Sequence, residues 1–108
     1  MSETVIIDFQ QRGYEGRVYS GRPRGELARR ELGIDRLDAA TNVDVEVRVP
    51  DKLYGLTSSF FLGLFGPSLN FFGSKEAFQK KYKIIASRPI MEEIDEYIET
   101  ELRRNQSR

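Results

Sequence analysis

Val43, Val45, Val47 and Val49 alternate without a break with Asp44, Glu46 and Arg48. An extended strand turns successive side chains to opposite faces, so a period of two reads as a strand with one apolar and one charged side. The pattern also limits what can surround that strand. Helices on both faces of a sheet require strands apolar on both faces. Here only one face invites burial, and helices are expected on that side alone.

The rest of the chain supplies partners for this strand. Val5 to Phe9 is a short β-branched run and reads as a strand. Gly13 and Gly16 bracket a turn, and Arg17 to Ser20 reads as a second strand, paired with the first as a hairpin. Tyr82 to Ala86 is a fourth. Pro23 suits the first turn of a helix on which Leu27, Ala28 and Leu32 share a face; Arg29, Arg30 and Glu31 are expected to point away, and Gly33 to stop it. Ile34 to Asn42 reads as a polar connection.

Ser58 and Ser59 precede the apolar run Phe60 to Phe65, a helix start with serine as the cap. Gly66-Pro67 is expected to interrupt that helix, because an interior proline loses a hydrogen bond and crowds the carbonyl four residues back, at about 3 kcal/mol. Ser74 can cap a short helix carrying Phe78. Pro89 opens a last helix with Ile90, Ile94, Ile98 and Leu102 on one face; Glu92 and Glu93 lie early and Arg103 and Arg104 late, matching the helix dipole. The expected fold class is α/β: a small mixed four-stranded sheet covered by helices mainly on one face, in the order β-β-α-β-α-β-α. One domain is expected over residues 1–104, with 105–108 a fraying tail.

Composition narrows the chemistry. The chain has 108 residues, enough for one domain, and contains neither histidine nor cysteine. Disulfides and thiolate nucleophiles are excluded, as are the commonest general base at neutral pH and the commonest transition-metal ligand. An enzyme would have to use groups such as Asp8, Tyr19, Asp51 or Lys52, whose spacing forms no familiar catalytic constellation. The expectation is therefore a protein that is not an enzyme and needs no metal or cofactor. No apolar run reaches the ~20 residues of a membrane span. The opening MSETVIIDFQQ lacks the basic-then-apolar plan of a secretory signal. A cytoplasmic protein is expected.

Seventeen Lys and Arg balance seventeen Asp and Glu, so net charge does not point to nucleic acid. Arginines nonetheless cluster from Arg12 to Arg36, and Lys75, Lys80, Lys81 and Lys83 cluster later. A nucleic-acid-binding accessory protein would use such clusters, and this is the alternative to a protein-binding role. Gly21-Arg22-Pro23-Arg24-Gly25 is a segment suited to gripping an acidic partner. Self-association through the hairpin edge or the apolar helix stays open.

The element order resembles the STAS domain, the fold of bacterial anti-sigma-factor antagonists. More closely, Leu56-Thr57-Ser58-Ser59-Phe60-Phe61-Leu62-Gly63-Leu64-Phe65-Gly66 is similar to the signature of the STAS-like family of prokaryotic proteins, in which a strand leads through a Thr/Ser-Ser-Phe turn into an apolar helix. The stretch from Phe71 to Ile85 is similar as well. The residue-level likeness covers roughly Val43 to Ile85. It implies a regulatory or interaction module whose serine, at the start of that helix, is phosphorylated by a partner with an ATPase-type kinase fold. Carried over, Ser58 takes the phosphoacceptor position with Ser59 beside it; Thr57 stands where aspartate is usual and Phe60 where glycine is. Thr57, Phe60 and Phe61, with Arg22 and Arg24, are the candidate partner-binding residues. Helix capping alone, worth about 1 kcal/mol, accounts for serines at this position without any function. A phosphate there would add about −1.5 to −2 charges.

Overall fold

The alternating valines form the central strand of a three-stranded parallel sheet. The computed structural model describes residues 3–106. Its elements are β1 (Glu3–Asp8), β2 (Val18–Tyr19), α1 (Arg22–Leu32), α2 (Ile34–Ala39), β3 (Val43–Arg48), β4 (Gly55–Leu56), α3 (Ser58–Phe72), α4 (Lys75–Lys81), β5 (Tyr82–Ile85) and α5 (Arg88–Gln106). The main sheet runs β1-β3-β5, both pairings parallel. Register sets Val5 and Ile7 beside Val45 and Val47, and those beside Tyr82 and Ile84. These residues make the buried side. Thr4, Ile6, Asp44, Arg48, Lys83 and Ile85 lie on the other side, exposed. One-face coverage follows from the strand order: successive right-handed crossovers that keep stepping the same way lay their helices on a single face.

Five expectations are corrected. β1 and β2 do not pair as a hairpin. The connecting stretch 9–17 is longer than hairpin loops run, and Tyr19 instead packs its ring 5.4 Å from Phe60 and 5.7 Å from Phe9. That placement aligns β2 in parallel with β4 as a separate two-stranded sheet, so the single mixed four-stranded sheet is replaced by three parallel strands plus two. Residues 34–39 are helical, not a polar connection; Gly33 turns the chain through a left-handed φ of 68°, and Ile34 is fully buried behind it. Arg29 does not face away but is 8% exposed, for reasons given below. Helix α3 runs through Pro67 without interruption. In the turn that proline weakens, the Leu64 carbonyl accepts a bond from Arg29 Nη1 at 2.8 Å.

Helix α3 is the centre of the helical layer, packed between α1 and α5. Phe61, Phe65, Phe78 and Tyr82 build the aromatic core beneath it, with Phe65 5.0 Å from Tyr82 and 5.3 Å from Phe78. Its contact with α1 is backbone to backbone. A Cβ on Gly25 would stand 2.2 Å from the Phe60 carbonyl oxygen, and one on Gly63 2.5 Å from that of Arg22. Helix α5 packs on the other flank and continues two residues past Arg104, with Asn105 hydrogen-bonded to Asn70; 107 and 108 lie outside the described residues. Among the described residues no helix is long and apolar enough to cross a membrane.

Candidate functional site

Two short segments bring the sequence-predicted residues to one end of the molecule. β4 ends at Leu56, and Thr57, extended at φ −77° and ψ 155°, turns the chain into α3. The Thr57 hydroxyl accepts the Phe60 amide at 3.2 Å, so the N-cap is Thr57, not a serine. Ser58 and Ser59 are the first two helical residues, and both are exposed. The glycine contact sets the first turn of α1, Arg22 to Gly25, directly against the first turns of α3. That turn of α1 has Gly21 as N-cap with no side-chain cap, and no acidic residue within it. Arg22 and Arg24 are exposed there.

The two serines face different neighbours. Ser58 lines a crevice of about 240 Å³ with Leu62, Glu96, Tyr97, Glu101 and Arg104, between α3 and α5. Ser59 lies one turn before Gly63, on the same helical face. Since Gly63 touches the Arg22 backbone, Ser59 stands on the α1 side. A second crevice of about 180 Å³, lined by Tyr14, Tyr19, Ser20, Arg24, Leu27 and Phe60, opens on that side.

Phe60 and Phe61, expected to touch a partner, are 3% and 1% exposed and belong to the core. Phe60 meets Tyr19, and Phe61 meets Phe65 and Tyr97. The first apolar residues of a helix held between two others have nowhere to go but inward. Tyrosines tie the loops around this end. Tyr97 donates to the Leu56 carbonyl at 2.7 Å, bracing α5 on the segment entering α3. Burial, then its bond to Glu93, raises its hydroxyl pKa to about 12. Tyr19 donates to the Tyr14 carbonyl at 2.9 Å, and Tyr14 to Glu31 at 2.7 Å. Both hydroxyls have raised pKa values, mainly through burial; Asp8 adds to Tyr19 and Glu31 to Tyr14. Asp8 Oδ1 accepts the Gln10 and Gln11 amides, a turn-forming role. Asp51 and Lys52 are exposed in the turn before β4.

Sequence reading missed a buried polar cluster that holds α1, α2, α3 and β5 together. Arg29 Nη2 meets Asp38 Oδ2 at 2.8 Å, and Arg29 Nη1 donates to Ser68 Oγ at 2.9 Å. Arg29 Nε also donates to Asp35 at the surface. Ser68 donates to Asp38, and Tyr82 donates to Asp38 Oδ1. Burial first, then the bond to Asp38 and its charge, drive the Tyr82 hydroxyl pKa far up. Every member is at most 8% exposed. The only signal available was a mild one, a serine one residue after the proline of an otherwise apolar helix.

Comparison with family models, curated proteins and solved structures finds no match to this chain.

Proposed function

We propose that the chain is a non-catalytic regulatory or protein-interaction module of the STAS-like kind, which meets a protein partner at the end formed by the first turns of α1 and α3. One observation carries the reading: an exposed hydroxyl pair on a capped helix start is held by glycine-to-glycine contact beside an uncapped helix start bearing Arg22 and Arg24. Exposed hydroxyls on a fixed first turn are accessible to a modifying enzyme, and free helix N–H groups with two guanidiniums favour an acidic surface.

The neighbours of the two serines favour Ser59 over Ser58 as the phosphoacceptor. A phosphate on Ser59 would stand beside the basic start of α1. One on Ser58 would meet Glu96 and Glu101, with Arg104 already 3.8 Å from Glu101. Either would change the sign of the local surface and so the choice of partner. The nucleic-acid alternative draws less support, because two members of its clusters are engaged elsewhere, Arg29 in the buried polar cluster and Lys75 with Glu99.

The test is capture from cells of the native host with tagged wild-type chain, Ser59→Asp, Ser58→Asp, Arg22→Glu/Arg24→Glu and a distant Lys83→Ala control. The expected result is a protein held by the wild type and Lys83→Ala, lost with the double arginine variant, and reduced more by Ser59→Asp than by Ser58→Asp. If the double arginine variant retains every protein that the wild type holds, this surface is not the interface.

A further inference from the structure

A broad groove lies at the opposite pole, about 20 Å away along α3 at 1.5 Å per residue. It has a volume of about 620 Å³ and opens between the loop that enters β3, the last turn of α3, and α4. That volume falls within the range of small-molecule sites. Two features of its walls point to an occupant. The first is Phe71, 63% exposed although it lies in the last turn of the most apolar helix of the described residues. Its ring stands edge-on to Phe72 at 5.1 Å and 89°, with most of its surface in water.

The second feature is Lys81. It is only 9% exposed, yet its ammonium has a single partner among the described residues, the neutral carbonyl of Ala40 at 2.6 Å. An ammonium carries three donors. An ammonium on a mostly buried stem, at a groove wall and with no counter-charge among the described residues, is suited to receive an anion. The carboxylates at hand do not supply the pair. Asp38, which also reaches the groove, is engaged by Arg29, Ser68 and Tyr82. Asp44 borders the groove but lies in no ion pair with either lysine. Lys80 adds a second, exposed ammonium to the same wall.

We propose that this groove is a binding site for a small planar aromatic anion: its carboxylate or phosphate pairs with Lys81 and Lys80, and its ring lies on Phe71. The anion completes the buried ammonium. The ring covers apolar surface that Phe71 otherwise leaves to water, and aromatic side chains serve as stacking platforms for planar rings. The site is independent of the partner surface proposed above, and either can fail without the other.

The full chain, uniformly 15N-labelled, is titrated with four probes: adenosine monophosphate and salicylate as ring-bearing anions, and adenosine and inorganic phosphate as the two halves. The expected result is that at least one ring-bearing anion shifts the amide signals of Thr41, Asn42, Phe72 and Lys81 with an affinity in the millimolar range or tighter. Which of the two does so distinguishes phosphate from carboxylate recognition. Each half should bind at least about tenfold more weakly. Lys81→Met, which keeps the stem and removes the charge, should weaken binding about tenfold or more, a loss of ~1.4 kcal/mol per tenfold. Phe71→Ala alters an exposed side chain, so the fold stays intact, and it should cost about as much. The proposal is overturned if neither ring-bearing anion shifts those signals at about 10 mM, the weak end of useful affinity. It is equally overturned if inorganic phosphate alone binds as tightly as either, or if Phe71→Ala leaves the affinity unchanged. The last comparison decides the matter even where Lys81→Met does not fold.

Discussion

Replacing Gly25 or Gly63 by alanine tests how α1 and α3 are held together. In an open helix either change stabilises, because glycine is about 1 kcal/mol worse than alanine there. Here the added methyl carbon would meet backbone: the Phe60 carbonyl oxygen at 2.2 Å for Gly25, the Arg22 carbonyl oxygen at 2.5 Å for Gly63. Neither oxygen is the free end of a flexible side chain. Restoring ordinary contact requires the helices to part by about 1 Å, which strips dispersion contacts along the whole interface. Overpacking of this kind costs about 1–3 kcal/mol. A displacement borne by two backbones belongs at the upper end, so the net effect is a loss of about 2 kcal/mol for Gly63→Ala and somewhat more for Gly25→Ala. For a domain of this size that is a fall in Tm of about 10 °C. Gly66→Ala in the same helix is the comparison: beyond its chain neighbours its Cβ would meet only the Leu62 Cβ, at 3.8 Å, and the one crowding it faces is local, from the ring of the following Pro67. The propensity gain of about 1 kcal/mol and that local crowding oppose each other, so its net change should stay within about 1 kcal/mol. Urea denaturation followed by circular dichroism measures all three, with m unchanged and the midpoint moving. The double variant Gly25→Ala/Gly63→Ala should cost less than the sum, because one separation relieves both clashes. If Gly25→Ala and Gly63→Ala stabilise, or cost no more than Gly66→Ala does, the helices are not in backbone contact.

Other outcomes follow from the same coordinates. Arg29→Met strands the buried Asp38 and should destabilise by about 3–5 kcal/mol, whereas replacing all four members (Arg29→Met, Asp38→Leu, Ser68→Ala, Tyr82→Phe) should restore most of that loss; a quadruple variant as unstable as the single one would refute the charge argument. Thr57→Ala should cost about 1 kcal/mol and Ser58→Ala less than half of that, because only Thr57 caps α3; the order of the two urea midpoints checks this. Lys75 Nζ donates to Glu99 at 2.9 Å, which holds the Glu99 carboxyl below its ordinary value of 4.5 and the Lys75 ammonium above 10.5. A lowered carboxyl contributes stability that is complete above its unfolded pKa and lost as pH falls through the folded one; a raised ammonium contributes stability below its unfolded pKa that is lost as pH rises through the folded one. Glu99→Gln should therefore lower Tm slightly at neutral pH and low salt, with the gap closing in acid. A gap of constant size down into strong acid would rule the pair out as its source.

What the sequence made legible was local. The period of two in Val43 to Val49 specified a strand and a single covered face, and both are present. The fourth-residue spacing of Ile90, Ile94 and Ile98 marked the buried stripe of α5. Pairing was less legible, because a short apolar strand such as β2 satisfies either a neighbour in sequence or one far along the chain, and Tyr19 chose by packing on Phe60. Proline 67 misled for a related reason: the cost of an interior proline is intrinsic, but what offsets it comes from tertiary structure, in part a guanidinium from another helix. Arg29 itself shows the limit. Its neighbours Arg30 and Glu31 are exposed, and nothing local distinguishes the one arginine whose partners lie 9, 35 and 39 residues away. The serines at the start of α3 were legible as a helix start; that Ser58 and Ser59 look toward different helices was not, because the phase of a helix is set by what it packs on.

The two contacts between α1 and α3 do different work, and the candidate site depends on both. Glycine against backbone permits close approach but presents a smooth surface, along which one helix can slide without meeting a side chain. One turn further on, the Arg29 fork reaches the Leu64 carbonyl and Ser68 Oγ, groups at fixed heights on α3. A planar donor with two such acceptors satisfies its bonds at a single axial position. Apolar replacements would fill the same space without that restriction. The quadruple apolar variant should accordingly recover stability yet lose register: the hydrogen-bonded amides of the second turns of α1 and α3 should exchange faster than in the wild type at equal global stability. Exchange as slow as in the wild type would mean that packing alone fixes the register and that the Arg29 cluster plays no part in setting Arg22 and Arg24 beside Ser59.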